Sequence, residues 1–232
     1  MASDDKKKSK GGCIGRLMSF VVFLVVVGLG VALYFISQPQ DLSEVGGLGQ
    51  TTTTAASPPR DIKTVLQKSI EGSYSVTLSE SEINQWLSRE LIASQGGELA
   101  PWVSIKNVCI RLKTGVAEVV IEREIHGYPF TTSMFVQIEQ SESQKGISTQ
   151  IHLHGGGFHE LVPKPTMGGR FGKLPVPQGF LILVMSDFKK IASIFEDEIE
   201  LGFNRMAHIE IQDKRLVLDP RRPTVEVGGN SF

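Results

Sequence analysis

The chain reads as an α+β protein. A single N-terminal transmembrane helix is followed by a curved antiparallel sheet of about six strands, a meander plus a C-terminal hairpin. That sheet is expected to pack on a long apolar helix and two short N-terminal helices. Three observations predict this. Residues 17–36 (LMSFVVFLVVVGLGVALYFI) carry no charge. Between Val103 and Leu153 apolar residues recur with a period of two, the mark of half-buried strands. Between Leu181 and Ile199 they recur at helical spacing.

At about 1.5 Å per residue the first run reaches roughly 30 Å, the thickness of a bilayer's hydrocarbon core. In lipid only a helix satisfies its own backbone there. Lys6, Lys7, Lys8, Lys10 and Arg16 precede it against Asp4 and Asp5, and the next basic residue is Arg60. That asymmetry predicts a cytoplasmic basic tail over 1–16, a transmembrane helix over 17–36 and everything later across the cell (inner) membrane. A cleaved signal peptide, cut after Gly28-Leu29-Gly30, is the alternative; the apolar run continuing to Ile36 argues against it. Residues 37–57, with Gly46, Gly47, Gly49 and four consecutive threonines, are expected as a flexible tether. The extracytoplasmic domain is expected over 58–220 and a C-terminal tail over 221–232.

Within that domain, Ser57-Pro58-Pro59 opens a short helix whose Ile62, Val65, Leu66 and Ile70 share a face and which Gly72 ends. Ser79 and Glu82 have the spacing of a capping box, with Leu78 and Ile83 at the staple positions. The stripe Ile83, Trp86, Leu87 and Leu91 faces a core. Asn84 lies off that stripe, either in solvent or bonding a neighbouring strand. Alternation then slips phase between Ile105 and Val108, which predicts a bulge near Lys106-Asn107. Turns at Lys113-Thr114-Gly115, Gly127-Tyr128-Pro129 and residues 140–146 divide four antiparallel strands. Residues 155–176 read as a long loop with six glycines and three prolines. A helix over 178–201 and a hairpin turning at Asp213-Lys214 complete the domain.

Composition excludes several classes. The formal charge is −1, and the basic tail holds +3 of it, so the domain carries no basic surface for nucleic acid. The two cysteines, Cys13 and Cys109, would lie on opposite sides of the membrane, so no disulfide is expected. There is no G-x-S-x-G elbow and no G-K-[ST] phosphate loop. No catalytic residues and no cofactor are expected, and the protein is read as a non-enzyme. His152 and His154, at i and i+2 on a strand with His159 behind them, have the spacing of metal ligands. The alternation assigns the pair to the polar face with Ser148 and Gln150, so solvated histidines are expected in place of a metal. Lys164, Arg170 and Lys173 lie beside glycines in the long loop, an arrangement that suits an anionic head group.

The order of an anchor, "SVTLSESEINQWL" (75–87), a meander, "GKLPVP" (172–177), an apolar helix and "IEIQDKRLVLDP" (209–220) resembles the YpmS-like membrane-anchored envelope proteins of bacteria. More loosely it is similar to tubular lipid-binding (TULIP) domains such as the LmeA type. The resemblance spans roughly 60–220 and implies a sheet wrapped partly around a helix, with an apolar groove; it supplies no functional residue. From it and from the apolar face of the meander, a lipid or other apolar ligand is expected in a groove lined by Phe130, Met134, Val136, Ile151, Phe180, Val184 and Phe188. The alternative is an envelope scaffold that contacts a protein partner and holds no ligand.

Overall fold

The computed structural model describes residues 12–48, 60–94, 105–125, 127–143, 146–159 and 161–222. Val103 and most of the two termini lie outside these. Among the described residues the chain is α+β, with one long apolar N-terminal helix and antiparallel strands.

Helix α1 spans Gly12–Ser37, and Gly15–Ser37 is long and apolar enough to cross a membrane. None of that window is buried against the rest of the protein. Helix α2 (Ile62–Gly72) starts at Asp61, whose carboxylate accepts from the Thr64 backbone N–H, and buries Ile62 and Leu66. Strand β1 (Val76–Ser79) runs directly into α3 (Glu80–Ser94). The capping box forms there: the Ser79 N–H donates to Glu82 Oε2 at 2.9 Å and the Glu82 N–H to Ser79 Oγ at 3.2 Å.

The larger sheet holds β2 (Ile105–Lys113), β3 (Val116–Ile125), β4 (Tyr128–Ser143), β5 (Gly146–His152), β6 (Gly157–His159), β7 (Val162–Phe171) and β8 (Leu174–Pro177). Its spatial order is β2-β3-β4-β7-β6, with β5 on β4 and β8 on β7. Pairing of β2 with β3 shifts register between Ile105 and Asn107, where the phase slip predicted a bulge. Strand β4 is long enough to pair twice along one edge, first with β7 (Thr132 opposite Phe171) and then with β5 (Ile138 opposite Ile151).

Residues 155–176 are therefore largely strand, not the expected loop. Glycine is what permits it: a Cβ on Gly169 would lie 1.9 Å from the Ser133 carbonyl oxygen, so only a bare backbone reaches β4 there. The expected single helix over 178–201 is divided. A 3₁₀ turn (Gln178–Leu183), α4 (Met185–Ile194) and α5 (Glu196–Asn204) follow one another, with breaks at Val184 and Phe195. The inward stripe survives those breaks, since Leu181, Phe188, Ile191 and Phe195 are all buried. The C-terminal hairpin, β9 (His208–Gln212) and β10 (Arg215–Asp219), does not extend the meander. It joins β1 in a separate sheet of order β1-β10-β9. The partner of β1 lies some 140 residues later by register, Val76 opposite Leu218.

One hydrophobic core joins these layers. It includes Leu66, Leu78, Trp86, Leu91, Val108, Ile121, Phe188, Phe195 and Ile211. A second, smaller cluster covers the other face of the large sheet, where Cys109 and Val120 are buried beneath Leu42, Val45 and Leu48. The first part of the expected tether is thus seated on the domain. Gln40 N–H donates to Thr131 Oγ1 at 2.9 Å, and Gly46 N–H to Glu80 Oε1 at 3.0 Å. The remainder of it, 49–57, lies outside the described residues.

Candidate functional site

The inner face of β2–β5 follows from strand alternation: Ile110, Val119, Met134, Val136, Ile138 and Ile151 point to one side. The stripe of α3, the inner side of α4 and α5, and the small sheet stand opposite. Helices and sheet do not meet everywhere. A cavity of about 320 Å³ remains between them, and among the described residues Glu198 is the one charged side chain along its wall. Trp86 and Phe195, with ring centroids 5.0 Å apart, form its helical side. The cavity opens where Ile151 and Ala192 are exposed. Beside that opening a second depression of about 300 Å³ shares Ile151, Ile199 and Phe203 but adds Thr149, Glu196, Glu200 and Asn204. The mouth is therefore polar and acidic while the interior is apolar.

Of the expected lining residues, Met134, Val136, Ile151 and Phe188 line the cavity. Val184 packs on the core from the break before α4 without reaching the wall. Phe130 lies half-buried opposite Arg123, outside the cavity. Phe180 is exposed on the 3₁₀ turn, because its neighbour Leu181 takes the inward position. Trp86, Ile191, Phe195 and Phe203 line the wall and were not anticipated there. The signal for Trp86, Ile191 and Phe195 was the helical stripe, which specifies an inward face without saying whether that face meets protein or space; Phe203 lies past the expected end of the helix.

The expected anion site does not assemble. Lys164 and Arg170 are six residues apart on an extended strand, about 20 Å by strand rise. Arg170 is half-buried on the outer face, 3.9 Å from Glu118 and 5.6 Å from the centre of the Phe135 ring. Glu118 itself is buried, held by Arg111 at 2.9 Å and by the Ser133 hydroxyl at 2.7 Å. Lys173 lies in the β7–β8 turn, three residues on from Arg170 and beside Asp41. The histidines separate as well. His152 is exposed beside Glu139 at 3.2 Å. His154 Nδ1 accepts from the Gly156 N–H, and His159 Nδ1 from the Leu161 N–H, both at 3.1 Å. Among the described residues no three His, Cys, Asp or Glu side chains gather as a metal site would require.

Two further groups bear on the chemistry. Cys109 is buried among apolar neighbours, which pushes its thiol up to about 12 and leaves it unreactive. Arg123 of β3 and Asp187 of α4 form a largely buried ion pair at 2.5 Å that ties the helix to the sheet. A scan against models of protein families found no match, and a search of curated proteins found no similar sequence.

Proposed function

We propose that this is a single-pass membrane protein with its N-terminus in the cytoplasm and its α+β domain on the other side. There the domain holds a lipid or other apolar ligand, without catalysis, in the cavity between the large sheet and α3–α5. The observation that carries this reading is the cavity. Protein interiors fill space to crystal-like density and keep few voids larger than a water molecule. An apolar void of about 320 Å³ is instead within the range of small-molecule sites. Among the described residues its walls are apolar apart from Glu198, so an apolar occupant is the one that gains by entering. The resemblance to YpmS-like and TULIP-type proteins belongs to the same proposal and adds the expectation of a groove. The scaffold alternative draws on the exposed Phe180, Ile182 and Leu183, a patch suited to contact.

The test uses the full chain in nanodiscs containing a phospholipid with a diazirine in its acyl chain. On illumination, cross-links are expected on peptides of β4 and α4 as well as α1. Ala192→Trp, at the open end of the cavity, is expected to abolish the β4 cross-links at Met134 and Val136 and spare those on α1. Labelling confined to α1 in the unsubstituted protein would remove the ligand and leave the scaffold.

A further inference from the structure

The cavity does not use the 3₁₀ turn. That turn buries Leu181, whereas Ile182 is 79% exposed and Leu183 69%. Large aliphatic side chains left side by side in water mark a surface that is covered by something. Where they sit follows from the pairing. Gly172, in the β7–β8 turn, adopts φ +54°, and a Cβ there would lie 2.3–2.7 Å from the carbonyl oxygens of Phe35, Ile36 and Gln38. The next N–H, of Lys173, donates to the Phe35 carbonyl at 3.0 Å. This turn therefore grips the end of α1. The preceding residue, Phe171, pairs with Thr132, and two residues away Phe130 pairs with Arg123. Arg123 holds Asp187 in the first turn of α4, four residues after Leu183. The end of α1, the start of α4 and the β3–β4 hairpin, tipped by the exposed Tyr128, thus share one end of the sheet.

We infer that this end of the domain rests in the headgroup layer of the leaflet from which α1 emerges, with Ile182 and Leu183 beneath the phosphates and Lys173 among them. The inference depends on the membrane reading of α1 proposed above, and not on the ligand. Length selects the bilayer as the occupant. Arg16 to Ile36 is twenty residues, about 30 Å of helix, so Arg16 at one interface brings Ile36 to the other. No free chain then lifts the domain away, because Phe35, Gln38 and Gln40 already touch it. Charge at this end is mixed, with Asp41 beside Lys173 and Glu124 of the hairpin held by Lys106. The exposed Lys173 stands at the anchor, where a long side chain reaches phosphate. Glu196 and Glu200 are at the cavity mouth beside Ile151, which pairs with Ile138, about 20 Å along β4 from Thr132.

The test places a fluorophore at single cysteines in the full chain, with Cys13→Ser and Cys109→Ala as background. The protein is reconstituted in vesicles of phosphatidylcholine and phosphatidylglycerol containing lipids with a nitroxide high on the acyl chain. Probes at Ile182→Cys and Leu183→Cys should be quenched at least twofold more than one at Lys214→Cys, which lies beyond Leu112 at the opposite end of the sheet. Ile182→Glu with Leu183→Glu should leave the melting temperature unchanged and, in a Phe180→Cys probe, lose the quenching. Equal, low quenching at all sites overturns the inference, and so does shielding from aqueous iodide without lipid quenching, which would mean a protein covers the patch. Quenched probes with no acyl cross-link on β4 would sink the ligand and leave this surface standing; cross-links with water-exposed probes would do the reverse.

Discussion

Asn84 has no solvent exposure, yet its side chain makes three hydrogen bonds. Nδ2 donates to the carbonyls of Gly46 and Ile110, and Oδ1 accepts from the Ile110 N–H at 2.7 Å. It joins the segment after α1, α3 and β2 at one point. Asn84→Ala orphans three backbone groups, and at about 1 kcal/mol or more for each a loss of roughly 3 kcal/mol is expected in urea unfolding. Cys109 supplies a pH dependence. Its thiol is raised to about 12 by burial, against an ordinary value near 9. Its contribution is complete below the unfolded value and is lost as pH rises from about 9 through 12. Unfolding midpoints should therefore fall over that window, and Cys109→Ala should flatten the fall. Glu82 works in the acid range. Burial opposes its charge, but the Ser79 N–H, Arg60 and the Ser79 hydroxyl outweigh it and hold the carboxyl below its ordinary value. That stability is lost as pH falls through the lowered value, so Glu82→Gln should cost more at pH 7 than at pH 3.

The elements show why local pattern and final packing diverge. The stripe of α3 and the capping box at its start were legible because both depend on neighbours three or four residues away. The bulge in β2 was legible because a phase slip leaves its mark on side-chain polarity. Strands β6–β8 were not, because their pairing relies on what glycine lacks, and a missing side chain looks the same in a loop. The segment 38–48 was misjudged for a related reason. Its Leu42 and Val45 are too few to show a period, yet they cover Cys109 and Val120. Val45→Asp would place a carboxylate in that cluster, and a loss of roughly 2–4 kcal/mol is expected. The same variant should expose Cys109 to a thiol reagent at pH 8, which the native fold prevents.

At the scale of the molecule, the described parts of two sheets and of helices α2–α5 enclose a core that stops short of filling itself. If the remaining space takes a ligand, the protein should gain stability by mass action, by about 2.7 kcal/mol at one hundred times the dissociation constant. For a domain of this size that is roughly 5–10 °C in melting temperature. A titration with a single-chain amphiphile checks it: the shift should appear in the unsubstituted protein and vanish in Ala192→Trp. A shift common to both would be detergent acting on α1. Four of the seven residues expected to line a groove do line the cavity, because strand parity assigns Met134, Val136 and Ile151 to one face. Phe130, Phe180 and Val184 do not, because only the packed helices determine which part of an apolar face stays open.

By itself the sequence determined the membrane-length helix, the α+β class, the inward faces of α3 and β2–β5 and the bulge in β2. Each rests on a short-range period, and such periods follow from backbone geometry alone. The tertiary structure decided what distance along the chain conceals: that β1 closes with β10, that glycines turn a loop into strands, and that α1 is gripped by the β7–β8 turn. It also decided that a space remains between the layers. A hydrophobic pattern records which side chains avoid water, and only the meeting of separate elements settles whether another side chain fills the place they face.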